Sequence, residues 1–165
     1  MAGSSAERQE NAFVKAVNAA VKKNGVAIKV KAGKVTIKNV KMAKKFTGRQ
    51  VSGSEPYIDV NLILTNGKTV GLSMKGLSAP SLAGGGLKGI NLAVPGLADR
   101  FMKAAHRRLV KKLDAGDKVP DLYGKISLAH KEKIVVGNKS MGGPIDYMYI
   151  GDMSPKSKYD ADTNC

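Results

Sequence analysis

Cysteine is nearly missing from this sequence: Cys165 is the single one among 165 residues. That excludes an internal disulfide framework and a cysteine-built zinc site. Histidine is almost as scarce, with only His106 and His130, so a histidine-based metal centre is not expected either. Any metal would have to be held by oxygen ligands, which points to ions of the magnesium type. Tryptophan is absent and aromatic residues make up 5% of the chain, which argues against a stacking platform for single-stranded nucleic acid. No apolar run approaches the ~18 residues that a membrane span needs. The opening MAGSSAERQE has no apolar core of the secretory-leader kind. A reducing cytoplasmic setting with no membrane partner is the expectation.

Negative charge is the remaining shortage. Lys and Arg number 28 against 13 acids, a formal net charge of +15. Residues 1–50 hold 12 of the bases and 2 of the acids, and from Lys22 to Arg49 ten basic residues follow with no acid among them. A merely solubilising surface mixes both signs. A field of one sign attracts nucleic acid, an anionic membrane or an acidic protein, and nucleic acid is the favoured reading. Hydrophobic residues make up 42%, too many for a disordered basic tail. The length suits one basic domain, expected over residues 1–154, with 155–165 as a polar tail.

Ser4 and Glu7 read as a capping box opening a helix that runs to about Lys23 and ends at Asn24-Gly25. Phe13, Val14, Val17 and Val21 form its apolar stripe; Glu10, one turn before Val14, lies on the same stripe, and Glu7 nearer its edge. Residues 26–31 and 34–38 alternate as two strands around an Ala32-Gly33 loop, pairing Val30 with Val35 and Ile28 with Ile37. Lys29, Lys31, Lys34, Thr36 and Lys38 then share the polar face. A loop carrying Lys41, Lys44, Lys45 and Arg49 is expected to follow, ending near Gly53-Ser54.

Residues 58–75 form a second hairpin turning at Asn66-Gly67. A two-residue turn would leave a mixed face. A three-residue loop over Thr65-Asn66-Gly67, with Gly67 as the bulge residue, instead puts Val60, Leu62, Leu64, Val70, Leu72 and Met74 on one apolar face. Burying six such side chains at ~1.5–3 kcal/mol each outweighs a preferred turn type. Asp59 then lies across from Ser73, with Lys75 next along the same face.

Residues 76–96, including Gly84-Gly85-Gly86, read as a loop, since the Lys-Ser/Thr ending of a phosphate-binding loop is missing. Pro95 opens a helix to about Leu113, with Leu97, Phe101, Ala104, Ala105, Leu109 and Leu113 inward. Arg100, Lys103, Arg107 and Lys111 run down another face, His106 is a surface residue, and Gly116 lies just past the end. A shorter helix is expected after Pro120 to about Lys133. Residues 145–150 read as a last strand, with Tyr147 and Tyr149 in sheet packing. The expected class is α/β (α+β), a central mixed sheet with flanking helices.

Pro56 and Asp59 in Glu-Pro-Tyr-Ile-Asp, followed by Ser73-Met-Lys75, resemble the PD-(D/E)XK nuclease superfamily over roughly residues 5–113. The resemblance implies a restriction-endonuclease-like fold and a magnesium-dependent DNA endonuclease. In that family two acids bind magnesium, implying Asp59 and, from the preceding helix, Glu10; a lysine, here Lys75, orients water and stabilises charge on the phosphate. The implied catalytic set is Asp59, Ser73, Lys75 and Glu10. Ser73 stands where the family has its second acid, and two residues separate Pro56 from Asp59; Glu10 or Asp146 would replace the lost acid.

Phosphodiester hydrolysis needs an activated water and charge neutralisation, and one carboxylate alone holds magnesium weakly. Asp59 and Lys75 as a plain cross-strand ion pair, worth ~0.2–1 kcal/mol, is the competing structural reading. Lys29, Lys31, Lys34, Lys38, Arg100, Lys103, Arg107 and Lys111 are the expected contacts to the backbone of double-stranded DNA. Two alternatives stay open: a non-catalytic DNA-binding or virion structural protein, and an RNA- or ribosome-associated one. Small size, basicity and sparse cysteine suit a phage or mobile-element protein in a host cytoplasm or a virion.

Overall fold

The computed structural model of the chain describes residues 5–49, 56–76, 86–116, 118 and 124–151. Ser4, Gly53-Ser54, Gly84-Gly85, Pro120 and the tail 155–165 lie outside the described residues. Helix α1 spans Ser5–Asn24. Its stripe does what the spacing predicts: Val17 is buried, with Phe13, Val14 and Val21 packed beside it against the sheet. Gly25 N–H donates to Val21 O at 3.0 Å and closes the helix.

Five strands form one sheet in chain order: β1 (Ile28–Ala32), β2 (Val35–Lys45), β3 (Val60–Leu64), β4 (Thr69–Gly76) and β5 (Tyr147–Gly151). The first four make an antiparallel meander, and β5 lies parallel to β4. With four helices around this mixed sheet the class is α+β, as expected.

The β1–β2 turn is Gly33-Lys34, not Ala32-Gly33: Ala32 pairs with Val35 and Val30 with Ile37. Gly33 has φ +58° while Lys34 stays at negative φ, so glycine takes the first turn position, as a type II′ loop demands. Moving Val30 from Val35 to Ile37 is a step of two along β2. The apolar and lysine faces therefore survive the correction; Lys34 moves from the strand face into the turn, and Ile28 pairs across the bulge with Val40 rather than with Ile37.

Strand β2 also runs on to Lys45 through the expected loop. Asn39 has φ +59° where the pairing with β1 shifts, and the pairing with β3 shifts separately between Val40 and Met42. Such bulges break the period of two, which is why Val40 and Ala43 are both buried at odd spacing. Past Val40, strand β1 no longer accompanies β2. The Asn18 amide takes its place, donating to Ala43 O at 3.0 Å and accepting from Ala43 N–H at 2.8 Å.

The β3–β4 hairpin has the three-residue loop. Val60 pairs with Leu72 and Leu62 with Val70, and Leu64 N–H donates to Lys68 O at 2.9 Å. Gly67 sits at φ +81°. Val60, Leu62, Leu72 and Met74 are buried under α1.

The opposite face carries a second core of Tyr57, Ile58, Ala93, Val94, Ile134, Met141 and Ile145, with Met148 packed on it. It is built by α2 (Gly86–Ala93), α4 (Leu128–Val136) and a 3-10 turn at Lys139–Met141. Helix α2 falls where a loop was expected. Two glycines weaken its propensity, and burial of Gly89 and Ala93 outweighs that deficit.

Helix α3 spans Leu97–Asp114, starting two residues past Pro95. Ala98 and Ala105 are buried, but Leu113, expected inward, is 56% exposed. Helix α4 is capped by Ser127 Oγ, which accepts from His130 N–H at 3.2 Å, and it ends beyond the expected Lys133. Tyr149 packs against the first core, whereas Tyr147, expected beside it, is exposed. No described helix is long and apolar enough to cross a membrane.

Candidate active site and nucleic-acid interface

Asp59 sits just before β3, held by its backbone on both sides. Its N–H donates to Leu72 O at 2.9 Å, and its carbonyl accepts from Phe46 N–H at 2.9 Å. The side chain turns toward β4, where Oδ2 accepts from Met74 N–H at 2.6 Å and from Ser73 Oγ at 3.2 Å. The carboxylate thus serves a β4 amide just ahead of the point where β3 begins. Ser73, 3% exposed, pairs with Met148 and so faces the second core. Lys75 follows two residues later, half-buried, on the same face by strand alternation. The structure therefore brings Asp59, Ser73 and Lys75 to one face, as the bulged register requires.

Glu10 approaches from α1, on the other side of the sheet. Its carboxylate pairs with Lys45 Nζ at 3.0 Å, and Glu7 lies 3.7 Å from the same ammonium. Lys45 is the register partner of Val60, the residue after Asp59, so both elements meet at one end of the sheet. Burial raises the Glu10 carboxyl above its usual range; Lys45 lowers it, and the charges of Asp59 and Glu7 raise it. Lys45 is pulled down by burial, but the two glutamates outweigh this and hold it above the usual lysine value. The pair is unequal: burial wins on the Glu10 side and charge on the Lys45 side.

A pH dependence follows. Because the folded Glu10 keeps its proton to higher pH than the unfolded one, its contribution to stability is fully present below the unfolded pKa. It is lost as pH rises through the folded pKa. Lys45→Met removes the ammonium that lowers this carboxyl. We expect the Glu10 titration midpoint, read by NMR, to move further up and the loss of stability to extend to higher pH. An unchanged or lower midpoint would contradict the geometry.

Asp146 does not join this group. Its Oδ2 accepts from Gly71 N–H at 2.6 Å, and its own N–H donates to Gly71 O at 2.8 Å. It fastens the start of β5 to β4, on the side of β4 away from β3. Among the described residues no three His, Cys, Asp or Glu side chains gather as a metal cluster. Magnesium does not need three: it is held by one or two carboxylates together with waters and substrate phosphate. The charge of Asp59 is felt at Glu10, so two carboxylates lie near one end of the sheet, Glu10 held in its pair with Lys45 and Asp59 by Met74 N–H and Ser73 Oγ.

The cations are spread over two surfaces. Lys29, Lys31, Lys34 and Lys38 are exposed, as are Arg100, Lys103, Arg107 and Lys111 on α3. Lys44, register partner of Asn61, extends the open face of β1 and β2 toward the Asp59 end. Sequence reasoning missed Lys45 as a site residue because two bulges made its strand read as a loop. The signal was Ile37, Val40 and Ala43 at successive spacings of three, which a strand allows only across bulges. Comparison with protein-family models, with curated proteins and with solved structures finds no match.

Proposed function

We propose that the protein is a magnesium-dependent DNA endonuclease with its site at the shared end of β3, β4 and α1. The observation that supports this reading is that Asp59, Ser73 and Lys75 share one sheet face at this end, while Glu10 of α1 reaches the same end from the other side through its pairing with Lys45. Glu10 and Asp59 would hold the metal, which when bound supplies an activated water and neutralises charge on the phosphate. Lys75 offers a cation to the negative charge that develops on the phosphate oxygens. Ser73 Oγ, by donating to Asp59, fixes that carboxylate. Lys29, Lys31, Lys38 and Lys44 on the open sheet face supply backbone contacts that place the duplex without reading its sequence.

A second reading, a DNA-binding protein that does not cut, is favoured by one observation. Asp59 Oδ2 already serves Met74 N–H, and position 73 is a serine. Supercoiled plasmid incubated with the protein and Mg²⁺ or Mn²⁺ separates the two. The endonuclease reading expects nicking that stops with EDTA and in Lys75→Ala, and that persists in Lys29→Ala. Salt-sensitive binding without nicking leaves the second reading in its place.

A further inference from the structure

Helix α3 lays basic and apolar residues along a single face. Leu97 and Phe101 stand four apart on it, with Arg100, Arg107 and Arg108 on neighbouring turns. Residues 124–126, leading into α4, run opposite and add Lys125 and Ile126. Together these residues line a groove of about 460 Å³. The groove is open to solvent along one side, so a ligand would lie on it rather than be enclosed. Phe101, Leu97 and Ile126 make its lining apolar, four cations surround them, and among the described residues no acid lines it.

The position of Phe101 is fixed from outside. A Cβ on Gly124 would lie 2.6 Å from Phe101 Cε2, so the backbone there rests against the ring edge. Any larger residue at 124 would push the ring out of place.

So few aromatics rule out a platform for a run of stacked bases, but one ring serves one base: we infer that this groove binds a single unpaired nucleotide of a single-stranded nucleic acid, its base against Phe101 and its phosphates on Arg100, Arg107 and Arg108. The inference rests on the reading of the protein as acting on nucleic acid, and it is independent of cleavage. A paired duplex keeps its base faces stacked and has nothing to offer an apolar, ring-lined groove; an unstacked base has. The rim is mostly guanidinium, the group that meets phosphate oxygens in a fork and stacks on flat rings. An acidic peptide offers carboxylates but no such ring face. The groove also splits the basic stripe of α3: Arg100 and Arg107 line it, while Lys103 does not.

Fluorescence anisotropy with a labelled oligothymidylate and, separately, a labelled blunt duplex tests this on the full chain. Arg107→Ala/Arg108→Ala and Phe101→Leu should each weaken single-strand binding about tenfold, with duplex affinity changed less than about twofold for Phe101→Leu. Gly124→Ala, which shifts the ring without removing it, should reproduce the Phe101→Leu pattern if that variant folds poorly. Equal losses on both ligands, or no loss in any variant, would overturn the groove. So would displacement of the oligonucleotide by polyglutamate as readily as by unlabelled strand. Failure of the wild-type chain to bind either nucleic acid would instead remove the reading on which the inference rests.

Discussion

Asp59→Ala is expected to abolish plasmid nicking and to cost about 2–3 kcal/mol of stability, whereas Asp59→Asn abolishes nicking and keeps most of the stability. The two variants separate two duties of one side chain. Alanine leaves Met74 N–H and Ser73 Oγ without the acceptor at 2.6 and 3.2 Å. Hydrogen bonds to a charged group contribute about 1.5–3 kcal/mol, and the Met74 amide lies in the sheet where water does not readily replace the lost partner. Asparagine presents a carbonyl oxygen in the same place and loses only the charge, about 1 kcal/mol.

Neither variant offers a negative oxygen to a magnesium ion, so the proposed activity falls in both, by more than about a hundredfold. Urea unfolding and agarose-gel nicking read the two duties separately. Full nicking by Asp59→Asn would remove Asp59 from the proposed site while leaving its structural duty standing. Wild-type stability in Asp59→Ala would show that the β4 amide finds another partner.

The duty toward β4 was not legible in the sequence, and the reason is general. A carboxylate that satisfies a backbone amide has no residue-type partner for a pattern to match. Asp59, Ser73 and Lys75 could be placed together because strand alternation and one register decision suffice. Glu10 could be placed on the inward stripe of α1 from the spacing of Val14, Val17 and Val21. Its ion pair with Lys45 could not, because the residues after Lys38 read as a loop and the strand continues through them only across two irregularities, at Asn39 with φ +59° and between Val40 and Met42. Asp146 was open to either role until its bonds to Gly71 assigned it to the β4–β5 joint. Helix α2 was hidden for a different reason: its glycines argue against a helix locally, and only the tertiary burial of Gly89 and Ala93 argues for one. The exposed end of α3 shows the converse, an apolar pattern continuing past the point where any described residue covers it.

All of the site geometry hangs on the register of the β3–β4 hairpin, and a pair of substitutions tests that register directly. Leu62→Ala is expected to cost about 3–5 kcal/mol and Ile63→Ala about 1 kcal/mol. Leu62 is 0% exposed, and across the sheet from it stand Val70 on β4 and Ala43 on β2. Truncating it leaves a cavity under α1 that close-packed neighbours fill only in part. Ile63 lies on the other face, half-buried between Met42 and Thr69. Truncating it there exposes surface more than it empties a core. With a two-residue Asn66-Gly67 turn, Val70, Leu72 and Met74 would share the face of Ile63. The order of the two costs would then reverse. The same slip would carry Ser73 and Lys75 to the face away from Asp59. Chemical denaturation midpoints of the two alanine variants therefore report on the hydrophobic core and on the proposed catalytic set at once: only the order Leu62 above Ile63 is compatible with Asp59, Ser73 and Lys75 sharing one face.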